Sequence, residues 1–198
     1  NLPEIKTKLT LNVGSPAEAF RWHYLPAAGV GLGRLEFIIS SYIKVHPRAL
    51  LEYQTLQESS DPEIQKIVQE ISELTIEHEN KTDYYVNELA EGIAKIAASA
   101  WPDPAIVRLS DFKTNEYRTL IGGELYEPEE ENPMLGWRGA SRYVHPDFRP
   151  AFELECAAIL KVRNEIGLKN VIPMVPFCRT PEEGRATVSV MAEAGLSR

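Results

Sequence analysis

Cysteine is scarce in this sequence, which has only Cys156 and Cys178 among its 198 residues. Two cysteines cannot build a disulfide framework, and no CxxC pair is present, so the class of small disulfide-stabilised secreted domains is excluded. Free thiols are typical of a reducing compartment, and we expect a cytoplasmic location. We expect Cys156 in the core because it lies on an apolar helix face. Cys178 follows a predicted strand, where a position facing a site is the less favoured alternative.

Metal-ligand spacing is also absent. The four histidines, His23, His46, His78 and His145, show no such spacing with one another or with cysteine. We therefore expect most of them at the surface or in hydrogen-bonded core positions. The residues themselves predict no metal ligand.

Long apolar runs and signal sequences are missing too. No apolar run approaches the roughly 20 residues that cross a bilayer. The opening "NLPEIKTKLTLNV" lacks the basic segment and apolar core of a signal peptide, so we expect no membrane partner. The chain begins with Asn1 rather than methionine, and we expect it to be a piece of a longer protein.

The sequence also lacks a surplus of positive charge. The formal net charge is -8, and lysines and arginines are scattered among more numerous Asp and Glu. A protein that binds nucleic acid usually carries a basic stripe, so we do not expect nucleic acid as a partner. An acidic protein can still bind a small anion where a few arginines converge in a cleft.

The remaining pattern is that of an α/β domain. The length and the hydrophobic share of 43% are those of one soluble globular domain, residues 1–198. Short apolar runs alternate with helical patterns, which favours a parallel sheet, either open and doubly wound or an arc of a barrel. The five predicted strands lie around residues 8–13, 29–36, 105–110, 134–138 and 171–177.

Helix signals accompany the strands. Ser15 with Glu18 and Thr180 with Glu183 predict capping boxes after the first and last strands. We expect the first of these helices to run to Gly29, because glycine usually follows a helix C-terminus.

Two connections have distinctive compositions. The stretch at about 61–100 has helical periodicity, begins with an Asp-Pro pair and ends at "WPDP", and we predict a helical insertion there. The acidic stretch "GELYEPEEENP", residues 123–133, indicates a solvated connection.

The glycines of "GVGLGRLEF" do not match a dinucleotide-binding loop. That motif places its glycines after a strand, at the start of a helix. Here Gly29, Gly31 and Gly33 alternate inside a predicted strand. Alternate glycines leave one face of a strand bare, so a neighbouring layer can approach closely.

Three arginines form the candidate site. Arg34, Arg108 and Arg138 each come at or near the end of a short apolar run. The C-terminal ends of parallel strands share one face, which carries the site in β/α folds. We predict that the three meet there and bind a carboxylate and a phosphate through paired hydrogen bonds. The alternative is local pairing, of Arg34 with Glu36, of Arg108 with Asp111 and of Arg138 with a loop acid.

Four segments carry a resemblance to a known family. In chain order, "GVGLGRLEF", "AIVRLSDFKTNEYRTLIGG", "ENPMLGWRGASRY" and "NVIPMVPFCRTPEEG" are similar to the C-terminal domain of the phosphoenolpyruvate synthase family. The similarity spans nearly the whole chain. The segment "SDFKTNEYRTLIGG" favours the synthase over pyruvate phosphate dikinase and enzyme I of the sugar phosphotransferase system, which share the "NPMLGxR" type of segment.

The resemblance implies a fold and an activity. The fold is the N-terminal part of a TIM-type β/α barrel that binds pyruvate or phosphoenolpyruvate with Mg²⁺. In the parent enzyme, a histidine on a separate domain is phosphorylated from ATP. That phosphotransferase converts ATP, pyruvate and water to AMP, phosphoenolpyruvate and phosphate, a reaction of gluconeogenesis. Arg34 and Arg108 match substrate-binding arginines of the family, and Arg138 matches a third.

The resemblance also implies what this chain lacks. The metal-binding glutamate, the Asn-Asp segment and the acid–base cysteine of the family lie on strands beyond residue 198. We therefore expect the Mg²⁺ ligands and the catalytic residues outside this chain, and the chain alone to be inactive. Two alternatives stay open: the barrel of a pyruvate phosphate dikinase, and a non-catalytic module that self-associates as a homodimer.

Overall fold

The computed structural model describes residues 6–197. Within them, one sheet is formed by β1 (Leu11–Val13), β2 (Val30–Arg34), β3 (Ala105–Arg108) and β4 (Val171–Met174). The helices are α1 (Pro16–Trp22), α2 (Leu35–Ile38), α3 (Pro47–Leu51), α4 (Tyr53–Gln57), α5 (Pro62–Leu74), α6 (Lys81–Ala100), α7 (Thr114–Tyr117), α8 (Ala140–Tyr143), α9 (Arg149–Lys161) and α10 (Pro181–Glu193). None of these helices has the length and apolar character that spanning a bilayer requires.

The sheet is wound in one direction. Its strands lie in the order β1-β2-β3-β4, and every neighbouring pair is parallel. A doubly wound sheet reverses its strand order at a switch point, whereas a β/α barrel adds each strand beside the previous one. The prediction of an α/β fold arranged as part of a TIM-type barrel is confirmed.

The fourth predicted strand, at 134–138, is wrong. This stretch forms tight turns, in which Leu135 N donates to the Asn132 carbonyl and Gly136 N donates to the Pro133 carbonyl. The side chains of Met134 and Leu135 are 56% and 77% exposed. The flanking proline and glycine favour turns, and turn bonds satisfy the backbone groups that a strand would offer to a sheet.

The first predicted capping box is present. Ser15 Oγ accepts from Glu18 N at 3.3 Å, and the Glu18 carboxylate accepts from Ser15 N at 3.3 Å. The expected run of this helix to Gly29 is wrong, because α1 ends at Trp22. The Gly29 carbonyl instead accepts from Leu11 N, where the pairing of β1 with β2 begins.

Helix α6 forms much of the layer against the sheet. Its residues Tyr85, Leu89, Ile93 and Ile96 are fully buried, and the helix contacts β2 and β3. Gly92 lets α6 approach α2, since a Cβ at Gly92 would lie 2.7–3.0 Å from three carbons of Ile38. Helices α5 and α6 fall within the helical stretch predicted at 61–100, while the domain boundaries and the insertion stay predictions.

The acidic stretch 123–133 is not simply a solvated connection. Glu127 is buried, and its carboxylate accepts from Arg142 Nη1 at 2.6 Å and Nη2 at 2.8 Å and lies 2.9 Å from His46 Nε2. The Arg142 guanidinium lies 4.1–4.8 Å from three aromatic rings, those of Tyr117, Trp137 and Phe148. Burial acts to raise the pKa of Glu127, but bonds from His46 and Arg142 outweigh burial and lower it. The ion pair of Glu127 with Arg142 fixes the chain on both sides of Arg138.

A second buried carboxyl lies beneath the end of β3. Glu155 on α9 is fully buried, and its carboxylate accepts from Ser110 N at 3.0 Å and from Ser110 Oγ. Tyr117 OH lies 2.9 Å from Ser110 Oγ, and Tyr143 OH donates to the Ser110 carbonyl. Burial raises the pKa of Glu155 to about 7, although the bonds from Ser110 act in the opposite direction. Hydrogen bonds to Glu155 and Tyr143 therefore fix the backbone at Ser110, just after β3.

Gly92→Val should destabilise the fold by about 1–3 kcal/mol, because the added carbons would overlap Ile38 in a closed core. Helix propensity alone predicts the opposite sign, since glycine is the poorer helix former. Urea denaturation measures the change, with Ala98→Val at an exposed position of the same helix as the control. Equal stability of the two variants would show that the close approach does not matter.

Glu155→Gln should change how stability depends on pH. Folding raises the pKa of Glu155 from an ordinary value of 4.5 to about 7. The protonated carboxyl therefore stabilises the fold at acid pH, and that contribution is lost as the pH rises through about 7. The variant should match the wild type near pH 4.5 and exceed it by roughly 1–3 kcal/mol at pH 8. Denaturation across this range tests this, with Glu153→Gln as control; a constant offset would contradict it.

Candidate anion-binding site

Two arginines lie side by side at the C-terminal edge of the sheet. Arg34 is the last residue of β2, Arg108 is the last residue of β3, and the two are direct partners in the parallel register. Helix α2 starts immediately after Arg34, so the chain turns away at that edge and leaves the side chain at the rim. Register, rather than loop conformation, sets the spacing of these two guanidinium groups.

A cavity of about 360 Å³ lies at this edge. It is lined by four cationic and three acidic side chains together with Phe37, Phe112, Ser40 and Met134. The cationic residues are Arg34, Arg108, Lys113 and Arg138, and the acidic residues are Glu36, Asp111 and Glu116. All three predicted arginines thus face one cavity.

Arg108 is bonded to two carboxylates. Its Nη2 donates to Glu36 Oε1 at 3.0 Å, and its Nη1 lies 3.4 Å from Asp111 Oδ2. Glu36 Oε1 also accepts from Asp111 N at 2.6 Å. The local pairing considered for Arg34 and Glu36 does not occur, because Glu36 reaches across to β3. The pairing considered for Arg108 and Asp111 is present.

The ionised form of the Glu36 carboxylate is partly destabilised by its surroundings. Burial raises its pKa, and the nearby Arg108 guanidinium lowers it only in part. Its second oxygen, Oε2, is buried and has no hydrogen-bond partner in the part of the chain that the structure describes. Glu36 therefore fixes the orientation of Arg108 at some cost to its own ionised form.

Arg138 reaches the cavity from a turn rather than from a strand. Its Nε donates to Asp111 Oδ1 at 2.9 Å, and its Nη2 donates to the Asp111 carbonyl at 3.3 Å. The Phe177 ring lies 4.1 Å from the guanidinium carbon. Gly139 follows with φ of +61°, and a Cβ there would lie 2.5 Å from the Pro176 carbonyl oxygen. The loop after β4 thus closes over the segment that carries Arg138.

Arg34 is the least committed of the three arginines. Its guanidinium lies 4.6 Å from the Phe37 ring centre. Among the described residues it makes no salt bridge, and its buried Nε has no hydrogen-bond partner. Stacking restricts the orientation of the side chain without using its hydrogen-bond donors, so those donors remain available for a ligand.

The charges of the cavity divide into two groups. Arg108 and Arg138 share the carboxylates of Glu36 and Asp111, which makes a formally neutral set of four. Arg34 and Lys113 face only one further acid, Glu116. The cavity therefore keeps a net positive charge, and a small anion of carboxylate or phosphate type would complement it.

The other candidate residues lie elsewhere. Cys178 is exposed and does not line the cavity, while Cys156 is buried in α9 with its pKa raised by burial to about 12. His46 is buried in the Glu127 cluster, and burial lowers its pKa. In residues 6–197 no three His, Cys, Asp or Glu side chains group closely enough to hold a metal ion.

Sequence reasoning missed Lys113 and the bridging role of Glu36. Lys113 stands five positions beyond Arg108 in "RLSDFK", so proximity to the strand end was a usable signal. For Glu36 the sequence pointed to its near neighbour Arg34, and only the pairing of β2 with β3 brings it to Arg108.

Comparisons with known proteins agree on one family. A family model described as PEP-utilising enzyme, PEP-binding domain matches residues 2–197. The phosphoenolpyruvate synthase of Synechocystis sp. is 52% identical over 198 residues, and that of Escherichia coli is 50% identical over 197 residues. Each alignment covers 100% of this chain and 24% of the relative.

The phosphoenolpyruvate synthase of Aquifex aeolicus is 48% identical, over 100% of this chain and 28% of its own length. The chain thus spans about a quarter of the length of these curated relatives. Since the family model covers nearly every residue, this chain belongs to the PEP-utilising enzymes and represents their PEP-binding domain.

Proposed function

We propose that this chain is the substrate-binding domain of a phosphoenolpyruvate synthase, and that its cavity binds pyruvate and phosphoenolpyruvate. The supporting observation is the cavity at the ends of β2 and β3, where paired and unpaired arginines face one space. The parent enzyme would convert ATP, pyruvate and water to AMP, phosphoenolpyruvate and phosphate. A phosphohistidine on another domain of that enzyme would supply the phosphoryl group.

The residue types suit that chemistry. When pyruvate loses a methyl proton, its enolate oxygen carries negative charge that must be stabilised during attack on phosphorus. Phosphoryl transfer leaves little covalent work to the protein, so alignment and charge neutralisation dominate. In this proposal Arg34 and Arg108, fixed at strand ends, would bind the charged groups of the substrate, and Arg138 would complete the pocket.

Magnesium belongs to the proposal only as a requirement of the parent enzyme. The carboxylates of Glu36 and Asp111 accept hydrogen bonds from arginines, and no three metal-ligating side chains group together within residues 6–197. The described residues alone therefore do not fit a Mg²⁺ site, and the roles assigned to them do not involve the metal. Use of ATP, a place in gluconeogenesis and a cytoplasmic location complete the proposal.

Self-association is a further part of the proposal. In the described sheet, β1 and β4 each have only one neighbour, so each leaves one edge unpaired. Further strands of the parent enzyme would cover those edges in a closed barrel, and a second copy would cover them if the chain acts as a homodimer.

Arg34→Ala in the full-length parent enzyme should lower kcat/KM for pyruvate on the order of 100-fold or more. Because Arg34 makes no salt bridge among the described residues, its removal leaves no carboxylate unpaired and should not unfold the domain. Arg108→Ala should lose as much activity and also some stability, since Glu36 and Asp111 each lose a partner.

Steady-state assays with thermal unfolding measure both effects, and Arg185→Ala, an exposed arginine on α10, is the control. Wild-type turnover in a folded Arg34→Ala enzyme would remove the site assignment.

A further inference from the structure

Lys113 is a cation on the cavity wall that the proposed arginine site does not use. It lies in the loop after β3, five residues beyond Arg108, and its side chain is 25% exposed. Its backbone N–H donates to Glu116 Oε2 at 2.8 Å, which fixes where the side chain starts. The backbone of Lys113 is therefore fixed at the edge of the cavity, while its long, flexible side chain lets the ammonium group move.

The ammonium group is only weakly committed to a partner. Lys113 Nζ lies 3.4 Å from Glu116 Oε1, and the Glu116 side chain is 44% exposed. Strong bonds between an ammonium and a carboxylate measure about 2.7–2.9 Å, and an ion pair open to solvent contributes little to stability. Exchange of Glu116 for a ligand anion would therefore cost little.

The arginine pairs offer a contrast. Arg138 bonds to Asp111 at 2.9 Å, and Arg108 bonds to Glu36 at 3.0 Å, in both cases with a side chain less exposed than that of Glu116. These contacts fix the arginines before any ligand arrives. Among the four cations of the wall, Arg34 and Lys113 are the two without a close, shielded carboxylate partner in the described residues.

We propose that Lys113 is a specificity-determining residue, whose ammonium group leaves Glu116 and contacts the phosphate of phosphoenolpyruvate. The inference rests on the proposed function, and it adds a reason for the cavity to bind phosphoenolpyruvate more tightly than pyruvate. Both molecules carry a carboxylate, but only phosphoenolpyruvate carries a phosphate.

Side-chain chemistry explains why the arginines would bind the carboxylate and Lys113 the phosphate. The planar fork of arginine matches a carboxylate through two parallel hydrogen bonds. An ammonium group has no such fork, and it binds phosphate as a mobile point charge. Arg34 and Arg108 stand in adjacent strands at a fixed spacing, whereas Lys113 can follow a bulkier group.

Equilibrium binding to the full-length parent enzyme tests the proposal, with phosphoenolpyruvate and pyruvate as the two probes. Lys113→Gln should weaken phosphoenolpyruvate binding on the order of tenfold, the typical effect of losing one hydrogen bond to a charged group. Its effect on pyruvate should be clearly smaller. Lys113→Arg should recover most of the lost affinity, because it restores the charge.

A second variant tests the exchange step. Glu116→Gln keeps an oxygen that can accept from Lys113 N but removes the competing charge, so phosphoenolpyruvate should bind a few-fold more tightly than to the wild type. Lys95→Gln is the matched control, because Lys95 pairs with Glu91 on the exposed face of α6, outside the cavity. It should bind both probes as the wild type does.

The outcomes separate the two claims. If the wild-type enzyme binds neither probe, the proposed function fails. If the wild type binds both but Lys113→Gln binds phosphoenolpyruvate equally well, or loses both probes equally, the role of Lys113 is overturned. Unchanged or weaker phosphoenolpyruvate binding by Glu116→Gln would overturn the exchange, and this variant carries the test if Lys113→Gln does not fold.

Discussion

The shared carboxylate of Asp111 is the contact on which the cavity depends. It lies 2.9 Å from Arg138 Nε and 3.4 Å from Arg108 Nη1, so one buried acid ties the end of β3 to a turn 27 residues later. Arg138 could not be buried, nor Arg108 half-buried, without such an acceptor, and Asp111 could not be buried without a donor. Because each group needs the other, Asp111 holds the end of β3 and the turn that carries Arg138 together as one wall of the cavity.

That wall is held in place by buried groups beneath it. Glu155 fixes the peptide of Ser110, next to Asp111, while Glu127 fixes Arg142, four residues beyond Arg138. Both carboxyls belong to segments distant in sequence from the groups they hold. Under the proposed function, such a wall would be positioned before a ligand arrives, as the alignment of a small, highly charged substrate requires.

The sequence predicted what depends on local pattern. An apolar run before Arg34 or Arg108 predicts a strand end, and parallel strands bring such ends together. The run before Arg138 misled because proline and glycine flank it closely and favour turns. The buried role of Glu127 was not predictable from an acidic stretch, because the acid lies beside Arg142 only in the folded chain. Glu36 likewise pairs across strands rather than along its own.

The internal acids also explain how four cations can line one cavity. Guanidinium groups crowded together in a partly buried space would repel one another and destabilise the fold. Glu36 and Asp111 relieve that repulsion, but the arginines they neutralise attract a ligand less strongly. Under the proposed function, affinity for the ligand would then depend mainly on the cations with weaker partners, Arg34 and Lys113, while the paired arginines would orient it. In the proposed site, the side chains that orient the ligand would thus differ from those that attract it most strongly, although all of them are cationic.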